Sequence, residues 1–169
     1  MAVISLMMIP GILTLVPSFM LYKSLIGLDN YMILILPQIV GPVFGVFLLR
    51  SFFEGIPEDI FEASRIDGAG EFKIYMKVCL PLSLPIMGTL AIMQITNAWN
   101  DYMWPMITIK NNDLMTISAG LMLNYVGPTN SNYPIITAGY LVASIPLIFI
   151  FIFANKFFIQ GLTGSAMKL

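Results

Sequence analysis

The sequence predicts an all-α integral membrane protein with four transmembrane helices, and three observations carry that expectation. Hydrophobic residues make up 58% of the 169 residues and charged residues 10%, against about 45–50% and about 25% in ordinary soluble domains. Long uncharged apolar runs recur four times, each near the roughly 20 residues needed to cross a bilayer. The acidic residues are concentrated in one connection rather than spread over a surface: Glu54, Glu58, Asp59, Glu62, Asp67 and Glu71 lie between Arg50 and Pro81. With 8 basic and 9 acidic residues and a mean hydropathy of +0.87, the chain cannot cover a soluble surface with charge. A net charge of −1 leaves no basic footprint for nucleic acid. The chain has no His and a single cysteine, Cys79. That excludes a disulfide within the chain, a His/Cys zinc site, and Ser-His-Asp or Cys-His catalysis. No catalytic, metal or cofactor site is expected.

The first span is expected over about 2–22, uncharged until Lys23. It does not read as a signal peptide, because no positive segment precedes it and no small-residue cleavage site follows. The second is expected over about 31–49, closed by Arg50, and the short stretch Lys23 to Asn30 makes the two a hairpin. The third spans about 82–103, and the fourth about 134–155. Pro10, Pro17, Pro37, Pro42, Pro85 and Pro146 lie within or near these runs, where neighbouring helices re-satisfy freed carbonyls. Gly41 and Gly45 form a small-xxx-small pair suited to close helix approach. The outer connection from Lys110 to Tyr133 is expected to hold one short helix, Thr116 to Asn124.

Orientation follows from the basic residues. A cytoplasmic N-terminus places Arg50, Arg65, Lys73, Lys77, Lys156 and Lys168 inside and only Lys23 and Lys110 outside, as the positive-inside rule favours. The C-terminus is then cytoplasmic.

The charged connection, about 54–81, is patterned. Pro57 suits the first position of a helix, and Glu58 and Asp59 favour its positive end. Gly68 enters the left-handed region cheaply and ends it. A helix is therefore expected over Pro57 to Asp67. A second, from about Gly70 to Leu80, is expected to stop at Pro81. Its Phe72, Tyr75, Met76 and Cys79 fall at i, i+3, i+4 and i+7, one apolar face. Two readings stand side by side here: interfacial helices lying on lipid, or a docking element for a soluble partner.

In the third span Gln94, Asn97 and Asp101 fall at i, i+3 and i+7. Intramembrane polar groups are costly and often line a path. With Trp99 and Asn100 they are candidates for a substrate path, although Gln94 and Asn97 also suit helix-to-helix hydrogen bonding and Asp101 suits an interface.

Glu62-Ala63-Ser64-Arg65-Ile66-Asp67-Gly68, nine further residues, then Val78-Cys79-Leu80-Pro81 resembles the EAA loop of binding-protein-dependent ABC importer permeases. That motif reads E-A-A, three residues, G, nine residues, I, one residue, L-P. Ser64 and Val78 depart from it by small, like-shaped changes. Ala98-Trp99-Asn100-Asp101-Tyr102-Met103-Trp104-Pro105 and the tail from Phe157 to Lys168 resemble the carbohydrate-transporting, maltose-type branch. The resemblance covers essentially the whole chain, and its four spans match the last four of the six-helix type-1 permease fold. The expected start is thus truncated relative to the family, with a non-transporting membrane fragment or scaffold as the alternative.

The resemblance implies a multi-pass permease subunit of the plasma (inner) membrane, not an enzyme. Its implied partners are a cytoplasmic ABC ATPase dimer, a second permease subunit, an extracytoplasmic sugar-binding protein and the lipid bilayer. It implies that Glu62, Ala63, Ser64, Asp67, Gly68, Leu80 and Pro81 couple ATP hydrolysis to transport. The sequence holds no G-x-x-x-x-G-K-[ST] phosphate loop. A secondary transporter would instead place paired ionisable groups at mid-membrane, and an intramembrane enzyme a nucleophile–base or metal set.

Overall fold

A computed structural model describes residues 5, 7–40, 43–126 and 132–166, the stretch 155–166 as backbone only. Among these, all regular structure is helical. Helix α1 runs Gly11–Ile26, α2 Met32–Val40 and α3 Val43–Glu54. A short helix α4, Glu58–Ile66, follows, then α5, Glu71–Ile74. A π-helical turn over Tyr75–Cys79 joins α5 to the long α6, Leu80–Asn100. Helix α7 covers Met103–Thr108, a 3₁₀ turn Asn112–Leu114, α8 Ile117–Tyr125, and α9 Tyr133–Ala166.

Three stretches among the described residues are long and apolar enough to cross a bilayer: Met32–Glu54, Glu71–Asn100 and Tyr133–Ala154. Helix α1, which overlaps the first expected span, has 16 residues. It begins after Pro10, which has no N–H to give, and continues past Lys23, which sits in its last turn. A cation there faces the negative end of the helix dipole, so Lys23 does not close the helix as expected. Arg50 likewise does not close the second stretch. Its Nε–H donates to Glu54 Oε1 at 2.8 Å, one turn on, and the helix carries both. Pro17, Pro37, Pro85 and Pro146 are all accommodated inside helices. Gly41 and Pro42 lie outside the described residues.

The expectation that Pro81 stops the second loop helix is overturned: α5, the π turn and α6 run on as one rod. Proline in an α-helix clashes with the carbonyl four residues back, here that of Lys77. The wider π turn over Tyr75–Cys79 opens the backbone where this clash would fall, and its bond from the Leu80 N–H to the Tyr75 carbonyl replaces the tighter α pattern.

Helices α6 and α9 make the most extensive packing interface, with α3 also against α6. The small polar residues Ser83 and Thr89 are buried on α6, and their hydroxyls donate to the Leu80 and Pro85 carbonyls of their own helix. They are therefore buried with their donors already satisfied within the helix.

The best-buried core lies at the hairpin end. Ile33, Trp104 and Ile109 are surrounded by Leu15, Phe19, Tyr22, Ile26 and Leu34. The Trp104 ring meets Tyr22 edge-on with centroids 5.7 Å apart, and its Nε1–H donates to the Ile33 carbonyl at 2.7 Å. Residue 104 thus ties α7 to α2 by both packing and a buried hydrogen bond.

Candidate functional site

The connection between Glu54 and Pro81 forms a projecting turn. Pro57 stands at the N-cap position of α4, Glu58 and Asp59 lie in its first turn, and Arg65 in its last, as the dipole favours. The helix ends in a Schellman motif. The Ala69 N–H donates to the Ser64 carbonyl and the Gly68 N–H to the Arg65 carbonyl, each at 3.0 Å. Gly68 takes φ +76°, a conformation in which a Cβ is strained. The expected Pro57–Asp67 helix is therefore present as Glu58–Ile66, with Pro57 and Asp67 flanking it and no side-chain cap at Pro57, and Gly68 stops it as expected.

Arg65 straddles that turn. Its Nε–H donates to Glu71 Oε1 at 3.0 Å and its Nη1–H to Glu58 Oε1 at 3.2 Å. The carboxylates of Glu71, first, and Glu58 raise the guanidinium pKa. One cation thus links the start of α4, its end and the start of α5 across Gly68.

The remaining motif residues are placed as follows. Glu62, Ala63, Asp67 and Gly68 are exposed, Ser64 is half-buried, Leu80 is half-buried at the head of α6, and Pro81 is exposed. Ser64 Oγ–H donates to the Ile60 carbonyl. The anticipated apolar face of the second loop helix is turned outward. Phe72 is 78% exposed, Tyr75 and Met76 are exposed, and it is Ile74 that is buried. Ile66, on α4, is 86% exposed. The loop element thus carries uncovered apolar side chains at both of its helices.

The intramembrane polar stripe divides. Gln94 and Asn97 line a groove of about 480 Å³ with Val43, Gly45 and Leu90. Gln94 Nε2–H donates to Gln38 Oε1 at 2.8 Å and to the Gln38 carbonyl at 3.2 Å, bonding α6 to α2. Asp101 does not continue the stripe. The helix ends at Asn100, and Asp101 turns to extended backbone with ψ 113°, so the helical spacing fails at its last member. Its Oδ1 accepts the Trp104 N–H at 3.2 Å, and it lines a different groove. Trp99 and Asn100 are engaged structurally. Trp99 Nε1–H donates to the Ala143 carbonyl of α9 at 3.1 Å, and Asn100 Nδ2–H to the Thr96 carbonyl of its own helix at 2.9 Å.

The opposite end carries a clasp that sequence reasoning missed. Asp29, at φ +56°, accepts the backbone N–H groups of Lys110 and of Asn111, the latter at 2.9 Å. Its own N–H donates to the Thr108 carbonyl at 3.1 Å. These amides, Lys110 first, hold the Asp29 carboxyl below the usual carboxylate range. Asn30 caps α2 through Oδ1 to the Ile33 N–H and donates Nδ2–H to the Ile26 carbonyl.

An all-helical arrangement of the described residues, with three apolar stretches of bilayer length and an exposed loop between two of them, defines an integral membrane protein. The family of binding-protein-dependent transport system inner membrane components matches residues 1–164, and this chain belongs to it. It is therefore a multi-pass inner-membrane component. It is 37% identical over 166 residues to the arabinooligosaccharides transport system permease protein AraQ of Halalkalibacterium halodurans, covering 98% of this chain and 59% of that one. It is also 37% identical to AraQ of Bacillus subtilis, covering 98% and 58%. The melibiose/raffinose/stachyose import permease protein MelC of B. subtilis is 30% identical, with 98% and 60% covered. Among solved structures, a bacterial ABC transporter involved in import of the acidic polysaccharide alginate aligns with a TM-score of 0.66 at 26% identity, over 85% of this chain and 55% of that one. The chain thus spans somewhat over half the length of these relatives.

Proposed function

We propose that this chain is the permease subunit of an ATP-driven importer for a sugar or oligosaccharide, and that residues 54–81 couple it to ATPase subunits. The observation that carries the reading is the loop itself, in a chain of this family. The Gly68 turn, the Arg65 bridge and the uninterrupted rod from α5 into α6 connect an exposed helix to a bilayer-length one. Force on α4 is then transmitted along α6 rather than absorbed in a flexible joint.

The roles follow from chemistry. Glu62 offers an exposed charge to basic groups of an ATPase. Ala63 and Ser64 keep the α4 surface low enough to enter a cleft, and Asp67 and Gly68 shape the turn that aims it. Leu80 and Pro81 begin the rod's membrane portion. The partners are a cytoplasmic ATPase dimer, a second permease subunit, an extracytoplasmic sugar-binding protein and the bilayer. The crossings are assigned to α1, α2 with α3, α6 and α9, with loop 54–81 and the C-terminus cytoplasmic. The substrate class rests on the sugar-transporting relatives, and Gln94 and Asn97 are the stripe members left facing a groove.

The test is co-purification of the ATPase subunit with tagged permease, together with ATP-dependent uptake of labelled oligosaccharides. Glu62→Ala is expected to lower ATPase recovery and uptake while leaving the amount of permease in the membrane unchanged. Unchanged recovery and uptake would leave the loop as an interfacial turn.

A further inference from the structure

The groove that takes Asp101 also gathers polar groups from two other helices. Thr14, Ser18 and Tyr22 recur every four residues, on one face of α1. They meet Gln38 of α2, with Asp101 and Trp104, around a cavity of about 380 Å³, within the roughly 300–1,000 Å³ range of small-molecule sites. Polar groups on apolar helices are costly and mark ligand paths, and here three separate segments bring theirs to one place.

The chemistry of the lining is specific. Trp104 Nε1–H is spent on the Ile33 carbonyl and its ring is held against Tyr22, so the aromatic wall is rigid. Thr14 Oγ1–H is spent on the Gly11 carbonyl, leaving its oxygen as an acceptor. Gln38 Oε1 accepts from Gln94, leaving its amide N–H groups as donors. Ser18 and Tyr22 supply hydroxyls that donate or accept. Alternating donors and acceptors beside an aromatic wall suit a polyhydroxyl ligand, each hydroxyl of which does both. The single charge in the lining is the Asp101 carboxylate. One carboxylate is too few for a cation cage, and it repels an anionic ligand in a partly desolvated groove.

We propose that this groove is a contact site for neutral oligosaccharide in transit, and that Asp101 discriminates against uronate-containing sugars. The proposal rests on the sugar-importer reading above and narrows it to the uncharged class.

The test uses the purified transporter with its ATPase and partner permease, this chain carrying Cys79→Ser and Ser18→Cys. The rate of maleimide modification is followed with free trisaccharides added directly, so that the binding protein does not filter the comparison. Saturating arabinotriose or maltotriose is expected to slow modification by about tenfold, the protection given by a ligand near ten times its Kd, whereas trigalacturonate does not. With Asp101→Asn added, which keeps an oxygen for the Trp104 N–H, trigalacturonate is expected to protect as well. The same reaction at Asn112→Cys, exposed in the connection between α7 and α8, is expected to ignore all three sugars. If neutral trisaccharides leave the rate at position 18 unchanged while the Cys79→Ser transporter, in vesicles supplied with its binding protein, still imports them, the groove proposal fails and the importer reading stands. If trigalacturonate protects equally well beside an intact Asp101, the discrimination fails. If no sugar is imported although the ATPase co-purifies, the sugar reading fails and the groove assignment falls with it.

Discussion

The two ends of the bundle are built on opposite principles. At the hairpin end, residues 27–30 are clasped to residues 108–111 by Asp29, and Trp104 is locked under them by packing and a buried hydrogen bond. Contacts there join residues more than seventy positions apart. At the loop end, α4 is held by interactions within fourteen residues: its caps, the Schellman turn and Arg65 between Glu58 and Glu71. The first end takes its rigidity from the rest of the protein. The second carries its own, and leaves Ile66 and Phe72 uncovered. An element that must move as a unit while engaging a partner needs this second kind of construction, since long-range ties would oppose its motion.

The largest effect expected is at the clasped end. Trp104→Ala removes a buried aromatic ring and orphans the Ile33 carbonyl, a change worth about 3–5 kcal/mol. Denaturation in detergent should show it as a lowered midpoint, with ATPase association lost only through loss of folded protein. Trp104→Phe, which keeps an aromatic ring but removes the donor and part of the indole, should cost less than the Ala variant, about 1–3 kcal/mol for the unpaired carbonyl.

A smaller effect is expected on titrating Asp29. Its folded pKa lies below its unfolded value. The clasp's contribution is therefore fully present above an unfolded carboxylate pKa of about 4 and is lost as pH falls through the lowered folded value. Asp29→Ala should remove this acid-limb dependence. An acid limb unchanged in the variant would show that the clasp does not contribute.

The smallest effect on stability is expected at Arg65, whose two ion pairs are solvent-exposed. Such pairs contribute little and are screened by salt. Arg65→Met should leave membrane abundance unchanged while weakening ATPase recovery at low ionic strength, and the difference from wild type should shrink at high salt. An equal loss at both ionic strengths would point to a packing role for Arg65 instead.

What was legible in the sequence divides along the same line. The α4 signals are local: Pro57, Glu58, Asp59 and Gly68 each act within a few residues of where they stand, so the helix and its stop were readable. Thr116 was similarly readable as the start of α8, whose first turn it caps through the Ala119 N–H. Pro81 misled because a stop signal depends on the backbone it meets, and the preceding π turn supplies the room that an α-helix lacks. The stripe through Asp101 misled because periodicity assumes a helix that ends one residue earlier. Asp29 carried no motif at all, since its partners are backbone amides some eighty residues away. The stripe of Thr14, Ser18 and Tyr22 had a readable spacing, but its meaning depends on Gln38 and Asp101 arriving opposite it.

The central claim is that the loop-54–81 turn transmits force because its angle is fixed at Gly68. The direct measurement is recovery of the ATPase subunit with Gly68→Val permease, normalised to permease in the membrane. A β-branched residue at φ +76° carries strain of about 1–3 kcal/mol. That strain is relieved by re-aiming α4, because a Cβ at this position meets no atom within 4 Å and so disturbs no packing. The expected result is near-complete loss of ATPase recovery at normal membrane abundance, with Gly68→Asn, whose side chain tolerates the left-handed region, retaining more than Val. Full ATPase recovery and sugar uptake with Gly68→Val would contradict the claim.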